Sequence, residues 1–140
     1  MTLPRPHKNK TLATLFAAAL GAAGLHRLYL RGPRDVLVWL HLALLALTLA
    51  LLALAPSINL FYRLLPLIVS MIAGFLQALV LGVMPDEKFD AAFNAGSGGR
   101  SDSRWPLALL LVATMLVGAT VLISTMARLF DLMYTGGAYG

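Results

Sequence analysis

Cysteine is absent from the 140 residues, which excludes disulfides and thiolate metal sites. Charge is scarce: Asp, Glu, Lys and Arg together make up 12% of the chain, against about 25% in ordinary soluble domains. None of these residues falls in the central part of any long apolar run. Proton- and ion-coupled transporters usually need an ionisable group at depth, so a carboxylate-driven exporter is disfavoured. The acidic residues cluster instead in the polar loop after Pro85, which is too glycine-rich to hold a catalytic acid pair rigidly. Thr120, Ser124 and Thr125 have no base near them in sequence and are expected to bond their own helix carbonyls. The pair Gly21-x-x-Gly24 follows no strand and precedes no lysine, which rules out a phosphate loop. No catalytic, cofactor-binding or metal-binding residues are therefore assigned.

What the chain does hold is apolar surface. Apolar residues make up 59% of it, against roughly 45–50% in soluble proteins, and several runs approach the roughly 20 residues that span a bilayer. The length allows one domain at most. Net charge is +5, with eleven basic residues against six acidic ones. In so apolar a chain this excess favours anionic lipid headgroups. The basic residues lie scattered between the runs and form no stripe for nucleic acid.

The expected fold is an all-α integral membrane protein with four transmembrane helices. Residues 1–10 form a basic polar leader, and residues 11–55 a hairpin of helices 11–30 and 36–55 turning about Gly32-Pro33. Its first arm is short and alanine-rich, with Ala13, Ala17 and Gly21 as a small-residue face for a partner helix. A basic leader, an apolar core and an Ala-Ala-Ala site also describe a cleavable signal peptide. Cleavage would leave the cluster His26, Arg27, Tyr29, Arg31 as a bare N-terminus, so the arm is read as retained, with that cluster reaching for headgroups. Asp35 is the expected cap of the second helix, and Ala43, Ala46, Ala50 and Ala53 form a flat seam along it.

A third helix is expected over residues 64–84, with Pro66 tolerable only in its first turn. Ser70, Gly74, Ala78 and Gly82 recur every four residues and, with Gly21 and Gly24, are the candidate helix-packing residues. Gln77, the lone amide among them, is expected to bond across a helix interface. Residues 85–104 read as a flexible polar loop in which Phe89 and Phe93 rest on the membrane. A fourth helix is expected over 105–127, and a frayed tail over 128–140 with Arg128 and Asp131 as an exposed pair. Four spans divide the basic residues five against six, which leaves orientation undecided. A turn at Gly32-Pro33 brings His26 and His41 to similar depth. There they either share a bond or a metal, or serve separately as an interface anchor and a backbone partner.

From Lys8 to about Leu45 the chain resembles the TM2 domain family, small membrane proteins built on a two-helix hairpin. The resemblance rests on Lys8-Asn9-Lys10, on Gly21-x-x-Gly24, and on His26-Arg27-Leu28-Tyr29-Leu30. Bacterial members typically read glycine-x-x-glycine-x-His-Arg-Phe-Tyr-Leu-Gly, and animal members carry Asp-Arg-Phe at the basic triplet. Here Leu28 stands for the phenylalanine and Arg31 for the last glycine. The family implies a membrane hairpin and no established enzymatic activity. The expectation is a non-enzymatic protein of the bacterial inner membrane that works by helix association with itself or another membrane protein. A small transporter or channel subunit, its path lined by Gln77, Thr48 and Thr114, is the alternative.

Overall fold

A computed structural model of the chain describes residues 5–139, all of whose regular elements are helical. They are α1 (Lys10–Leu20), a 3-10 turn (Gly21–Ala23), α2 (Leu25–Arg31), α3 (Val36–Leu54), α4 (Leu60–Val83), α5 (Asp86–Phe93) and α6 (Trp105–Thr135). Helices α3, α4 and α6 are long and apolar enough to cross a membrane; the first apolar segment is not.

That first segment departs from the expected single helix over 11–30. In a continuous helix Lys8 and Leu30 would lie about 33 Å apart at 1.5 Å per residue. Instead the Lys8 ammonium donates to the Leu30 carbonyl, and the Asn9 N–H donates to the Tyr29 hydroxyl at 2.9 Å. Phe16 and Tyr29 meet edge-on with ring centroids 5.6 Å apart. The segment therefore descends as α1, reverses at Gly21–Gly24, and returns as α2 to the end from which it started.

Gly24 permits the reversal. Its φ of +71° lies in the left-handed region, and a Cβ there would sit 3.0 Å from the His41 Cβ. Gly21 packs backbone to backbone on Gly74, where an added Cβ would lie 2.6 Å from the Gly74 Cα. Gly74 lies nine residues before Val83, the end of α4, about 14 Å along it and close to the depth that α1 can reach.

The other helices alternate from this frame. α3 leaves the same end as α2 leaves off, capped by the Asp35 carboxylate, which accepts from the Leu37 N–H at 3.0 Å. α4 runs back and α6 descends beside it: a Cβ on Gly82 would meet Leu111, and one on Gly118 would meet Phe75. The end carrying Lys10, Arg31, Asp35 and Met84 is the near end below, and the Pro56–Asn59 turn lies at the far end.

Two boundaries and one packing contact differ from expectation. Asn59 caps α4, accepting from the Phe61 N–H at 2.9 Å, so the helix starts at Leu60 and Pro66 falls in its second turn. There Pro66 removes an interior N–H that the first turn would not have needed. α6 continues to Thr135 and stops at Gly136, whose φ is +69°. Arg128 and Asp131 pair within that helix at 2.5 Å. On α5, Phe89 is fully buried in the core with Ala13, Ala17 and Ala78, so it packs on the protein where a membrane contact was expected.

Candidate functional site

Two polar constellations organise the near end, and both depend on the fold-back. The first is a clasp. Lys10 is buried, and its ammonium donates to the Met84 carbonyl, to Asp86 Oδ1 at 2.8 Å and to Ser103 Oγ at 3.2 Å. All three ammonium donors are thus used, and one residue joins α1, the end of α4, α5 and the approach to α6. Lys8 and Asn94 extend it: the Asn94 side chain accepts from the Lys8 N–H at 2.7 Å and donates to the Lys8 carbonyl at 3.1 Å. Asp90 accepts from the Ser101 N–H and hydroxyl at 2.7 and 2.6 Å. The loop read as a flexible linker is in this way tied at Asp86, Asp90 and Asn94.

The Lys10 ammonium, followed by the Ser103 hydroxyl, holds the Asp86 carboxyl down to about 2. A carboxylate whose folded value is depressed stabilises the fold above its ordinary value of 3.8, and that contribution is lost as the pH falls through its folded value. The clasp should therefore weaken between about pH 4 and pH 2, by about 1–2 kcal/mol given that Asp86 is partly solvated. Acid titration followed by Trp105 fluorescence should show this limb, and Asp86→Asn should remove it. An unchanged acid limb in Asp86→Asn would assign it to another carboxylate.

The second constellation lies deeper, between the fold-back, α3 and α4. Arg27 Nε donates to Gln77 Oε1 at 2.6 Å, and since arginine only donates, this sets the Gln77 amide with its nitrogen towards His41. Gln77 Nε2 then donates to His41 Nε2 at 3.2 Å, so His41 carries its proton on Nδ1. Nδ1 donates to Ser70 Oγ at 2.6 Å, and Ser70 Oγ donates to the Ala22 carbonyl at 2.8 Å. The acceptor at the end of this chain exists because the helix breaks at Gly21. A carbonyl freed by a break needs a partner wherever water is excluded, and Ser70 supplies it.

His26 joins the same amide, its Nε2 donating to Gln77 Oε1 at 2.5 Å, while its Nδ1 is buried without a partner. The two histidine rings meet edge-on with centroids 5.8 Å apart. They share Gln77 and make no bond to each other. Among the described residues no three His, Cys, Asp or Glu side chains gather in a way that could hold a metal.

Of the motif residues read as headgroup anchors, His26 is only 1% exposed, Arg27 is bound to Gln77 and lies 3.4 Å from Asp35, and Tyr29 is tied to Asn9. Arg31 alone of the four is exposed, its guanidinium 5.7 Å from the Phe93 ring centre. The returning α2 thus turns three of the four residues onto the protein itself. The small-residue stripe is likewise used inside the chain. Ser70 bonds Ala22, Gly74 meets Gly21, Ala78 is in the core and Gly82 meets Leu111. Sequence reasoning missed the pairing of Lys8 with Asn94 and of Lys10 with Met84, Asp86 and Ser103, because these partners lie 74 to 93 residues apart and leave no local signal.

Set against protein-family models, curated proteins and solved structures, the chain matches none of them.

Proposed function

We propose that this is a non-enzymatic integral membrane protein with three spanning helices and a re-entrant pair, working by lateral association through α3 with itself or another membrane protein. The observation that carries association is the alanine seam. Ala43, Ala46, Ala50 and Ala53 are all exposed on α3, whereas the competing stripe on α4 is consumed internally. Small side chains let helices approach closely in lipid, where packing takes the place of the hydrophobic effect. The interior hydroxyl and imidazole support the absence of catalysis, because Ser70, His41 and Gln77 are committed to one another.

The re-entrant reading also bears on orientation. Nine of the eleven Lys and Arg residues fall at the near end, leaving Arg63 and Arg128 at the far end. The positive-inside rule then supports a cytoplasmic near end in a bacterial inner membrane. The residues behind the TM2 resemblance lie in the fold-back and its ties, and we include that kinship in the proposal.

Because the chain lacks cysteine, single-cysteine variants test both parts cleanly. Arg5→Cys, Arg34→Cys and Ser97→Cys should react with an impermeant thiol reagent from the same side, and Ser57→Cys from the other. Four spans would instead put residues 5 and 34 on opposite sides. Under mild oxidation in membranes, Ala46→Cys should cross-link strongly and Leu116→Cys, on the exposed face of α6, weakly. Equal or absent cross-linking would overturn association along this seam. The Thr48 and Thr114 hydroxyls bond Leu44 and Leu110 in their own helices, so no path through Gln77 is proposed; solute or ion flux in proteoliposomes would reverse that reading.

A further inference from the structure

Between α2 and α4 lies a cavity of about 260 Å³. Its polar wall is His26, Arg27, Arg31 and Gln77, and the rest is apolar, with Leu76, Val80 and Met84 among it. We propose that it holds the headgroup of one anionic phospholipid, with the phosphodiester between Arg27 and Arg31 and an acyl chain along α4. This rests on the membrane placement proposed above, and is independent of association through α3.

Charge is the first argument. Arg31 has no carboxylate within ion-pair distance among the described residues, and the single acid facing Arg27 is Asp35, at 3.4 Å. Two guanidiniums against one carboxylate leave a net charge of +1, which one phosphodiester at −1 would neutralise. Guanidinium forks suit phosphate oxygens in particular. The His26 ring also lines the cavity, but its Nε2–H is spent on Gln77 and its Nδ1 is buried out of reach of a headgroup, so the guanidiniums are the groups left to bind one. A cationic ammonium headgroup beside two guanidiniums would be repelled.

Size and walls separate a lipid from a free anion. The cavity is smaller than the roughly 300–1,000 Å³ pockets that enclose whole small ligands, so it fits a headgroup whose chains remain outside. Leu76 and Val80, which line it, are 58% and 63% exposed and lead from it along the outer face of α4. A soluble phosphate gains nothing from such walls, whereas an acyl chain does. The position also suits a headgroup. Gln77 is seven residues below Met84, about 10 Å along the helix, and Arg31 sits at the near end above it.

The test is native mass spectrometry of the full chain released from bilayers of equal phosphatidylglycerol and phosphatidylcholine. One phosphatidylglycerol should be retained in preference to phosphatidylcholine. Arg31→Gln, on an exposed residue, should cut that retention about tenfold, equivalent to about 1.4 kcal/mol, and Val80→Trp should cut it by blocking the acyl path. Arg34→Gln, a charge at the same end but outside the cavity, should leave it unchanged. Equal retention of both lipids, or equal losses in Arg31→Gln and Arg34→Gln, would overturn the site in favour of diffuse surface charge. Displacement by excess glycerol phosphate would also overturn it, by showing that a soluble phosphate suffices. The thiol-labelling pattern reports the membrane placement separately, so failure here is distinguishable from failure there.

Discussion

Gly74→Leu should detach the fold-back from α4 and cost about 3 kcal/mol or more, at the upper end of overpacking penalties. Even the first carbon of a side chain at Gly74 would lie 2.7 Å from the Gly21 Cα and 3.0 Å from the Ala17 carbonyl oxygen. Both are backbone atoms, which cannot rotate away. The damage spreads, because moving the Gly21 turn takes the Ala22 carbonyl from Ser70 and strands it. Gly82, on the same stripe, provides the comparison. Its added Cβ would also clash, at 2.3 Å, but with the terminal Cδ2 of Leu111, a side chain that can change rotamer. Gly82→Ala should therefore cost less than about 1.5 kcal/mol, and Gly74→Ala clearly more. Thermal unfolding in detergent, with protease access to the Gly21–Gly24 turn, would read both. Indistinguishable Gly74 and Gly82 variants would mean that the close backbone approach is not what holds α1 in place.

Gln77→Leu should be comparably severe for a different reason. The substitution roughly conserves volume but removes the amide on which two buried histidines and the half-buried Arg27 converge. Arg27 Nε, His26 Nε2 and His41 Nε2 would all lose their partner. Each stranded polar group costs about 1–3 kcal/mol where water cannot replace the bond, so a loss of at least about 3 kcal/mol is expected. A double-mutant cycle makes the test specific. His41→Leu alone strands the Gln77 nitrogen and takes one of the two bonds at Ser70 Oγ, but in combination with Gln77→Leu it removes a group already stranded. The pair should cost less than the sum of the single variants by about 1 kcal/mol or more, as expected for members of one network. Additive losses would show that Arg27, Gln77, His41 and Ser70 act separately.

The two predictions bracket how far residues 11–31 could be read in one dimension. Their apolar content and the small residues at Ala13, Ala17 and Gly21 are visible in the chain, and the segment is too short and too weakly apolar to stand alone. Its direction is not visible there. A helix of 20 residues and a helix that turns back after 11 present the same hydrophobic pattern. Gly21 and Gly24 are equally compatible with packing inside a straight helix and with a reversal. The left-handed φ at Gly24 goes with the contact of Gly24 with His41, 17 residues further on, and of Gly21 with Gly74, 53 residues further on. The polar motif followed from the same choice. In a straight arm, residues 26 to 31 extend towards headgroups; in a returning one, His26, Arg27 and Tyr29 turn inwards to Gln77, Asp35 and Asn9.

By itself, then, the sequence determined what a local property can determine: an all-helical chain, three long apolar segments placed at about 36–55, 64–84 and 105–127, and a cap at Asp35 whose carboxylate bonds an N–H two residues away. Tertiary structure alone decided where the first segment turns, that the α4 stripe is spent inside the chain, and that Lys10 meets Asp86 across 76 residues. The physical reason is range. Helix propensity, capping and apolarity act within a turn or two, whereas the reversal at Gly24 is settled by whether a freed carbonyl finds Ser70 and a bare glycine finds Gly74.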